Sequence, residues 1–276
     1  MHRLLLGVLS FAVAAELACA QTELTKYVRY SVDGQVSYGV LEGEAIRELE
    51  GDLFDAPRET GRTVRLSEVR LLPPCLPSKV IAVGLNYQSH LGEREAAEYP
   101  GLFAKYPTSI IGHEAEIVMP TDAGNLHYEG ELVIVIGREA NNVSPDDAAE
   151  YVFGVTAGND VSERDWQRSD LQWLRAKASD TFGPIGPAIV TGLNHNDLLV
   201  QTRVNGEVRQ SERSSDLIFD VETIVSYVSR YVTLMPGDVI FTGTPGSTQA
   251  MQPGDVVEVE VEGVGVLRNT VVAAHK

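Results

Sequence analysis

Two cysteines, Cys19 and Cys75, in 276 residues leave no room for a disulfide framework. Positive charge is also scarce. The chain has 22 Lys and Arg against 39 Asp and Glu, a formal net charge of −17. Such a surface offers nothing to a phosphate backbone, so nucleic acid is not an expected partner. An anionic substrate would need a local cationic device. No apolar run approaches the ~18 residues of a transmembrane helix, so stable membrane insertion is not expected. The GxGxxG and GxxxxGK(S/T) nucleotide cradles are missing, as is the GxSxG elbow. His113-Glu114 opens like a zincin, but Ile117 stands where the second ligand would fall. No cysteine pair has zinc spacing.

What remains is ordinary globular composition, 43% hydrophobic and 22% charged. That supports one large domain or two unequal ones without staples. At the N-terminus, Arg3, the apolar Leu4 to Ala15 and the small-x-small Ala18-Cys19-Ala20 read as a secretory signal peptide over residues 1–20. Export to the periplasm or medium follows from that reading; a mis-called start would leave the protein cytoplasmic. Lipidation at Cys19 is the weaker option, because Glu16 replaces an aliphatic three residues earlier.

Asp33-Gly34, between Tyr27–Val32 and Gln35–Leu41, is a hairpin signal, as is Asn205-Gly206. The Pro73 to Pro77 stretch cannot be a central strand or helix interior. It ends a small N-terminal domain, residues 21–72, and leaves 73–276 as the larger one. Val80–Val83 and Leu132–Gly137 read as buried strands. Val256–Glu262 alternates as a half-buried strand. Ser144-Pro145 starts one helix. Asp220 caps another, with Val221, Ile224, Val225 and Val228 on one face. Strands dominate without regular β-α alternation, so the expected class is α+β and β-rich.

Glu129 and Glu131 stand two apart at the mouth of a strand, on one face and about 6–7 Å apart along it. Asp160 follows another apolar stretch. Three oxygen donors suit Mg²⁺, Mn²⁺ or Ca²⁺, but the spacing alone favours solvated acids at a strand end. Arg164, Gln167 and Lys177 suit carboxylate binding and enolate stabilisation, or surface ion pairs. His90 and Glu93 are a minimal general-base pair, or a surface pair. The turn-rich Thr242 to Gly246 segment, including Thr244, lines a site or is simply a loop.

Five ordered segments resemble the fumarylacetoacetate hydrolase family. They are Lys79 to His90, His127 to Glu131, Gly158 to Arg164, Lys177 to Pro184 and Pro236 to Pro245. The resemblance implies a mixed β-roll catalytic domain, a small N-terminal β domain and a homodimer. It implies Mg²⁺ or Mn²⁺ on Glu129, Glu131 and Asp160. Substrate binding falls to Arg164, Gln167 and Thr244, and catalysis to His90, Glu93 and Lys177. The segment from Leu91 to Pro107 would be a lid. The resulting expectation is a metal-dependent hydrolase cleaving a C–C bond in a 2-oxo acid through an enolate. An isomerase or decarboxylase on the same site is the alternative, and a non-catalytic periplasmic binding protein the other class. The residues after Pro245, Gly-Ser-Thr-Gln-Ala-Met-Gln, depart from the usual continuation of that motif.

Overall fold

The structure, a computed structural model, describes residues 23–274. Residues 1–20, where the sequence alone suggests a signal peptide, lie outside the described residues. Strands dominate, as expected. A large mixed sheet runs Arg58–Arg65, Ala45–Glu50, Gln35–Glu42, Thr25–Val32, Gly183–Thr191, Val152–Asn159, Gly130–Ile136, Val239–Phe241, Val80–Gly84 and Gly101–Lys105. A five-stranded sheet runs Glu207–Arg213, Leu199–Val204, Val256–Val261, Gly265–Ala273 and Glu116–Met119. Most pairs are antiparallel. Val239–Phe241 with Val80–Gly84, and Gly265–Ala273 with Glu116–Met119, are parallel. The N-terminal strands extend the large sheet, because Thr25–Val32 pairs with Gly183–Thr191.

The strand Gly130–Ile136 is buried along its whole length, which explains its uninterrupted apolar sequence. On one face Leu132, Ile134 and Ile136 pack with Ile224, Val225 and Val228 of the helix Val221–Ser229. Val200, Val259 and Val261 of the second sheet complete that layer. On the other face Val133 and Val135 pack with Ile185, Ile189, Phe241 and Cys75. The Asp220 side chain accepts from Thr223 N at 2.8 Å and starts the helix as the sequence predicts. Among the described residues, no helix is long and apolar enough to cross a membrane.

Burial, with Asp238 nearby, pushes the Cys75 thiol up to about 12. At pH 8 it is a buried neutral thiol, not a nucleophile. In a Cys19→Ser background, native protein is expected to react with an aromatic disulfide reagent only at its unfolding rate. Rapid stoichiometric labelling would contradict that burial.

Gly130 sits between the two glutamates with no space for a side chain. A Cβ there would stand 1.9 Å from Thr202 Oγ1. Gly130→Ala is expected to cost about 1–3 kcal/mol through overpacking. Adding Thr202→Gly should recover part of the loss in a urea titration.

Candidate functional site

Glu129 precedes the strand Gly130–Ile136, and Glu131 is its second residue. Asp160 follows the neighbouring strand Val152–Asn159, and register pairs Gly130 with Asn159 and Glu131 with Gly158. This antiparallel pairing converges the three acids. Their carboxylate oxygens lie within 4.8 Å of one another, and all three residues are buried. Asn159 Oδ1 accepts from Glu129 N at 2.9 Å, and Asp160 N donates to the Glu129 carbonyl at 2.8 Å.

Three cations meet these acids. Lys177, on the short helix Leu174–Ala178, donates to Glu129 Oε2 and Asp160 Oδ2, both at 2.6 Å. Arg164, at the start of the helix Arg164–Ser169, donates to Glu129 Oε1 and, at 3.0 Å, to Thr248 Oγ1. Its other nitrogen donates to Gln167 Oε1 at 2.7 Å, one helical turn on. Lys105 is the third. It ends the edge strand Gly101–Lys105, is fully buried, and donates to Asp160 Oδ1 at 2.5 Å and to the Lys177 carbonyl.

The electrostatics are uneven. Burial alone would raise Glu129, but Lys177 and Arg164 hold it well below the ordinary carboxylate range. Burial would lower the Lys177 ammonium, but Asp160 and Glu129 outweigh it and hold it high. Lys105 goes the other way, because burial prevails over its pairing with Asp160. Glu131 is pushed well above the usual range by burial, then by Asp160 and Glu129. Its only protein hydrogen bond among the described residues comes from Gly243 N, at 2.7 Å, and no cationic side chain reaches it. A buried carboxylate lacking a cation, beside two more, is the donor set a hard divalent ion requires. The residues therefore fit such an ion.

His90, Glu129, Glu131, Asp160, Arg164, Gln167, Lys177 and Thr244 all line one small cavity of about 100 Å³. Glu93 does not line it. It is exposed and makes no bond to His90. Instead His90 Nδ1 meets the Gly246 carbonyl at 2.6 Å, and Nε2 lies 3.9 Å from Glu129 Oε1. Since a carbonyl only accepts, Nδ1 carries the proton in the neutral ring, and Nε2 is the basic nitrogen. Thr244 is near but occupied: its hydroxyl donates to the Gly130 carbonyl at 2.9 Å and accepts from Gln210 at 2.7 Å. Gly243, at φ +110°, holds the loop against Asn86, where a Cβ would stand 2.7 Å from the Asn86 Cβ. Asn86 Nδ2 in turn donates to the Thr242 carbonyl at 2.8 Å.

The lid expectation is corrected in part. Residues 101–105 are not a mobile flank but the sheet strand paired with Val80–Gly84, and the strand places Lys105. Sequence reasoning also missed Arg94, Phe103 and Trp173, which line the same cavity. No motif marks them.

Comparison with known proteins identifies the family. The family model "Fumarylacetoacetate (FAA) hydrolase C-terminal" matches residues 79–272, and "Rv2993c-like, N-terminal" matches 25–74. The crystal structure titled 5-carboxymethyl-2-hydroxymuconate delta-isomerase from Mycobacterium smegmatis is 46% identical. It covers 90% of this chain and 100% of its own, with a TM-score of 0.86. That of 2-hydroxyhepta-2,4-diene-1,7-dioate isomerase from Mycobacterium marinum is 43% identical over 91% of this chain and 100% of its own, with a TM-score of 0.85. The Homo sapiens protein named oxaloacetate tautomerase FAHD2A, mitochondrial, is 40% identical over 75% of this chain and 70% of its own. This last relative corrects the expectation of export. A similar protein is mitochondrial, so nothing in the likeness supports a periplasmic or secreted setting, and that expectation is withdrawn. With a catalytic-domain match from residue 79 to 272 and relatives above 40% identity, this enzyme belongs to the fumarylacetoacetate hydrolase family.

Proposed function

We propose that this chain is a divalent-metal-dependent isomerase or tautomerase of a 2-oxo acid, moving a proton through an enol, rather than a C–C hydrolase. The observation that carries this reading is the arrangement of His90. Its Nδ1 is engaged by the Gly246 carbonyl, its Nε2 faces the acid cluster, and Glu93 stands away in solvent. That is a base placed to take a proton from a bound substrate, without the oriented partner that a water-activating dyad needs. The isomerase and tautomerase names belong to relatives 40–46% identical, whereas the structures titled as hydrolases are less similar, at 38% and 27%.

Glu129, Glu131 and Asp160 would hold Mg²⁺ or Mn²⁺. Bound there, the ion supplies Lewis acidity toward a substrate keto oxygen. His90 Nε2 takes the C3 proton, the C–H pair becomes the C2–C3 double bond, and the keto pair moves to oxygen. Lys177 and Gln167 stabilise the oxygen charge, and Arg164 keeps Glu129 ionised and oriented. Return of the proton to carbon or oxygen completes the isomerisation. The homodimer implied by the resemblance is carried in the same proposal, and analytical ultracentrifugation measures it.

The test is a panel of oxaloacetate, unsaturated 2-oxo diacids and acylpyruvates, with Mg²⁺ and with Mn²⁺. Enol–keto interconversion is expected to exceed acylpyruvate cleavage by about 100-fold or more, and His90→Ala to lower it about 10²–10⁴-fold. Faster cleavage than isomerisation would favour the second reading, hydrolysis by His90 and Glu93. That reading rests on Glu93 following His90 by three residues on a segment whose 92–100 part is exposed apart from Pro100.

A further inference from the structure

The inner cavity, at about 100 Å³, has room for a head group and little more. Beside it lies a second chamber of about 520 Å³, within the usual ~300–1,000 Å³ of a ligand site. Gly84, Leu85, Arg94, Phe103 and Trp173 line both, so the two are continuous. We propose that this outer chamber takes an apolar tail, so that the substrate is a 2-oxo acid carrying an alkyl or aryl group rather than a second carboxylate. The inference rests on the 2-oxo acid reading above.

Three observations support it. First, the wall is apolar: Leu91, Leu102 and Leu171 join Leu85, Phe103 and Trp173. Of the two charged wall residues, Glu95 lines only this chamber and opposes a second carboxylate, while Arg94 also lines the inner cavity and has its Nε held by the Leu91 carbonyl at 3.0 Å. Burying a carboxylate against such a wall would be costly, whereas a hydrocarbon gains from it.

Second, the tail wall is built onto the chemistry. Phe103 lies 5.0 Å from Lys177 Nζ on one side and packs edge-on to Trp173, at 5.5 Å between centroids, on the other. Trp173 caps the short helix that carries Lys177, and its carbonyl accepts from Lys177 N at 2.9 Å. A tail leaving a head group at Lys177 passes directly onto this aromatic pair.

Third, Leu85 holds a left-handed backbone, φ +59°, which a leucine adopts only at a cost. The strain places an apolar side chain, 37% exposed, at the junction of the two chambers. Glycine would adopt the same backbone freely.

The test uses the full-length enzyme with Mg²⁺ and reads C3 proton–deuterium exchange by NMR. The substrates are pyruvate, 2-oxobutanoate, 2-oxohexanoate, 2-oxooctanoate, 4-phenyl-2-oxobutanoate and the diacid matching 2-oxooctanoate in length. Exchange per unit concentration should rise about two- to fourfold per methylene up to the chamber's limit, and the monoacid should exceed the diacid. Leu85→Gly and Leu171→Asp should each lower the ratio of 2-oxooctanoate to 2-oxobutanoate about tenfold. Both positions are exposed enough for the variants to fold, which circular dichroism checks.

A flat response to tail length, or a diacid preference, overturns the inference and leaves the 2-oxo acid reading standing. Exchange of none of these compounds overturns the 2-oxo acid reading. In that case calorimetric binding that still strengthens with tail length would sustain the chamber assignment alone. If Leu171→Asp only dissociates an oligomer and leaves the ratio unchanged, a second copy covers the chamber and the tail assignment is wrong.

Discussion

Glu131→Gln is expected to abolish the rise in melting temperature that Mg²⁺ or Mn²⁺ gives the wild type, while leaving the metal-free protein no less stable. Replacing a buried charged residue normally costs stability, because a partner is left unpaired. Glu131 has no cationic partner to abandon. Its only protein hydrogen bond among the described residues comes from Gly243 N, which a glutamine oxygen still accepts. Two more carboxylates lie beside it, so neutralising it removes a repulsion. With metal the sign reverses. An ion at 100 times its dissociation constant stabilises the wild type by about 2.7 kcal/mol, and the variant forfeits this. Activity should fall about 10³-fold, the loss of one strong electrostatic contribution to the transition state. Differential scanning fluorimetry with and without chelator measures the first part, and a full metal response in the variant would refute the ligand assignment.

The largest effect on stability is expected from Lys105→Met. Methionine keeps the stem and removes an ammonium that is fully buried between Asp160 and the Lys177 carbonyl. Breaking a buried ion pair by deleting one partner costs about 3–5 kcal/mol. Lys177 still reaches Asp160 at 2.6 Å, but it is already shared with Glu129. A bound divalent cation would take over part of the lost neutralisation, so Mg²⁺ should recover some of the stability. Urea unfolding in chelator and in Mg²⁺ tests both halves. A cost below about 1 kcal/mol in chelator would mean that Lys105 is not needed to neutralise Asp160.

Lys105 also shows where sequence reading stops. Glu129, Glu131, Asp160, Lys177 and Arg164 were legible because each sits in an ordered motif, and strand pairing brings the motifs together. Hairpins and buried strands were legible for a simpler reason: turn residues and apolar periodicity are local. Lys105 carries no such mark. A lysine after Gly101-Leu-Phe-Ala looks like a solvated strand end, and its partner Asp160 is 55 residues away. The lid expectation failed at the same place, because edge pairing with Val80–Gly84 is a tertiary fact. Phe103 and Trp173 were invisible as a pair, since nothing in sequence relates an edge strand to a one-turn helix. His90 and Glu93 show a different limit. Their spacing suggested a contact, yet the ring bonds Gly246, a partner 156 residues on.

The strand Val239–Phe241 has a consequence for how the protein is made. It lies inside the large sheet, third from one edge, antiparallel to Gly130–Ile136 and parallel to Val80–Gly84, yet it comes near the end of the chain. The loop after it supplies Gly243, which bonds Glu131 across 112 residues. During synthesis, therefore, both flanking strands emerge from the ribosome well before the strand that joins them. Until residue 241 is free, each presents an open, apolar edge, the kind that pairs with other chains. Such long-range pairing is slow to form. The chain therefore passes through synthesis with its most hydrophobic strands unjoined and its acid cluster unfinished, and both are completed together only once the last fifth of the polypeptide is available.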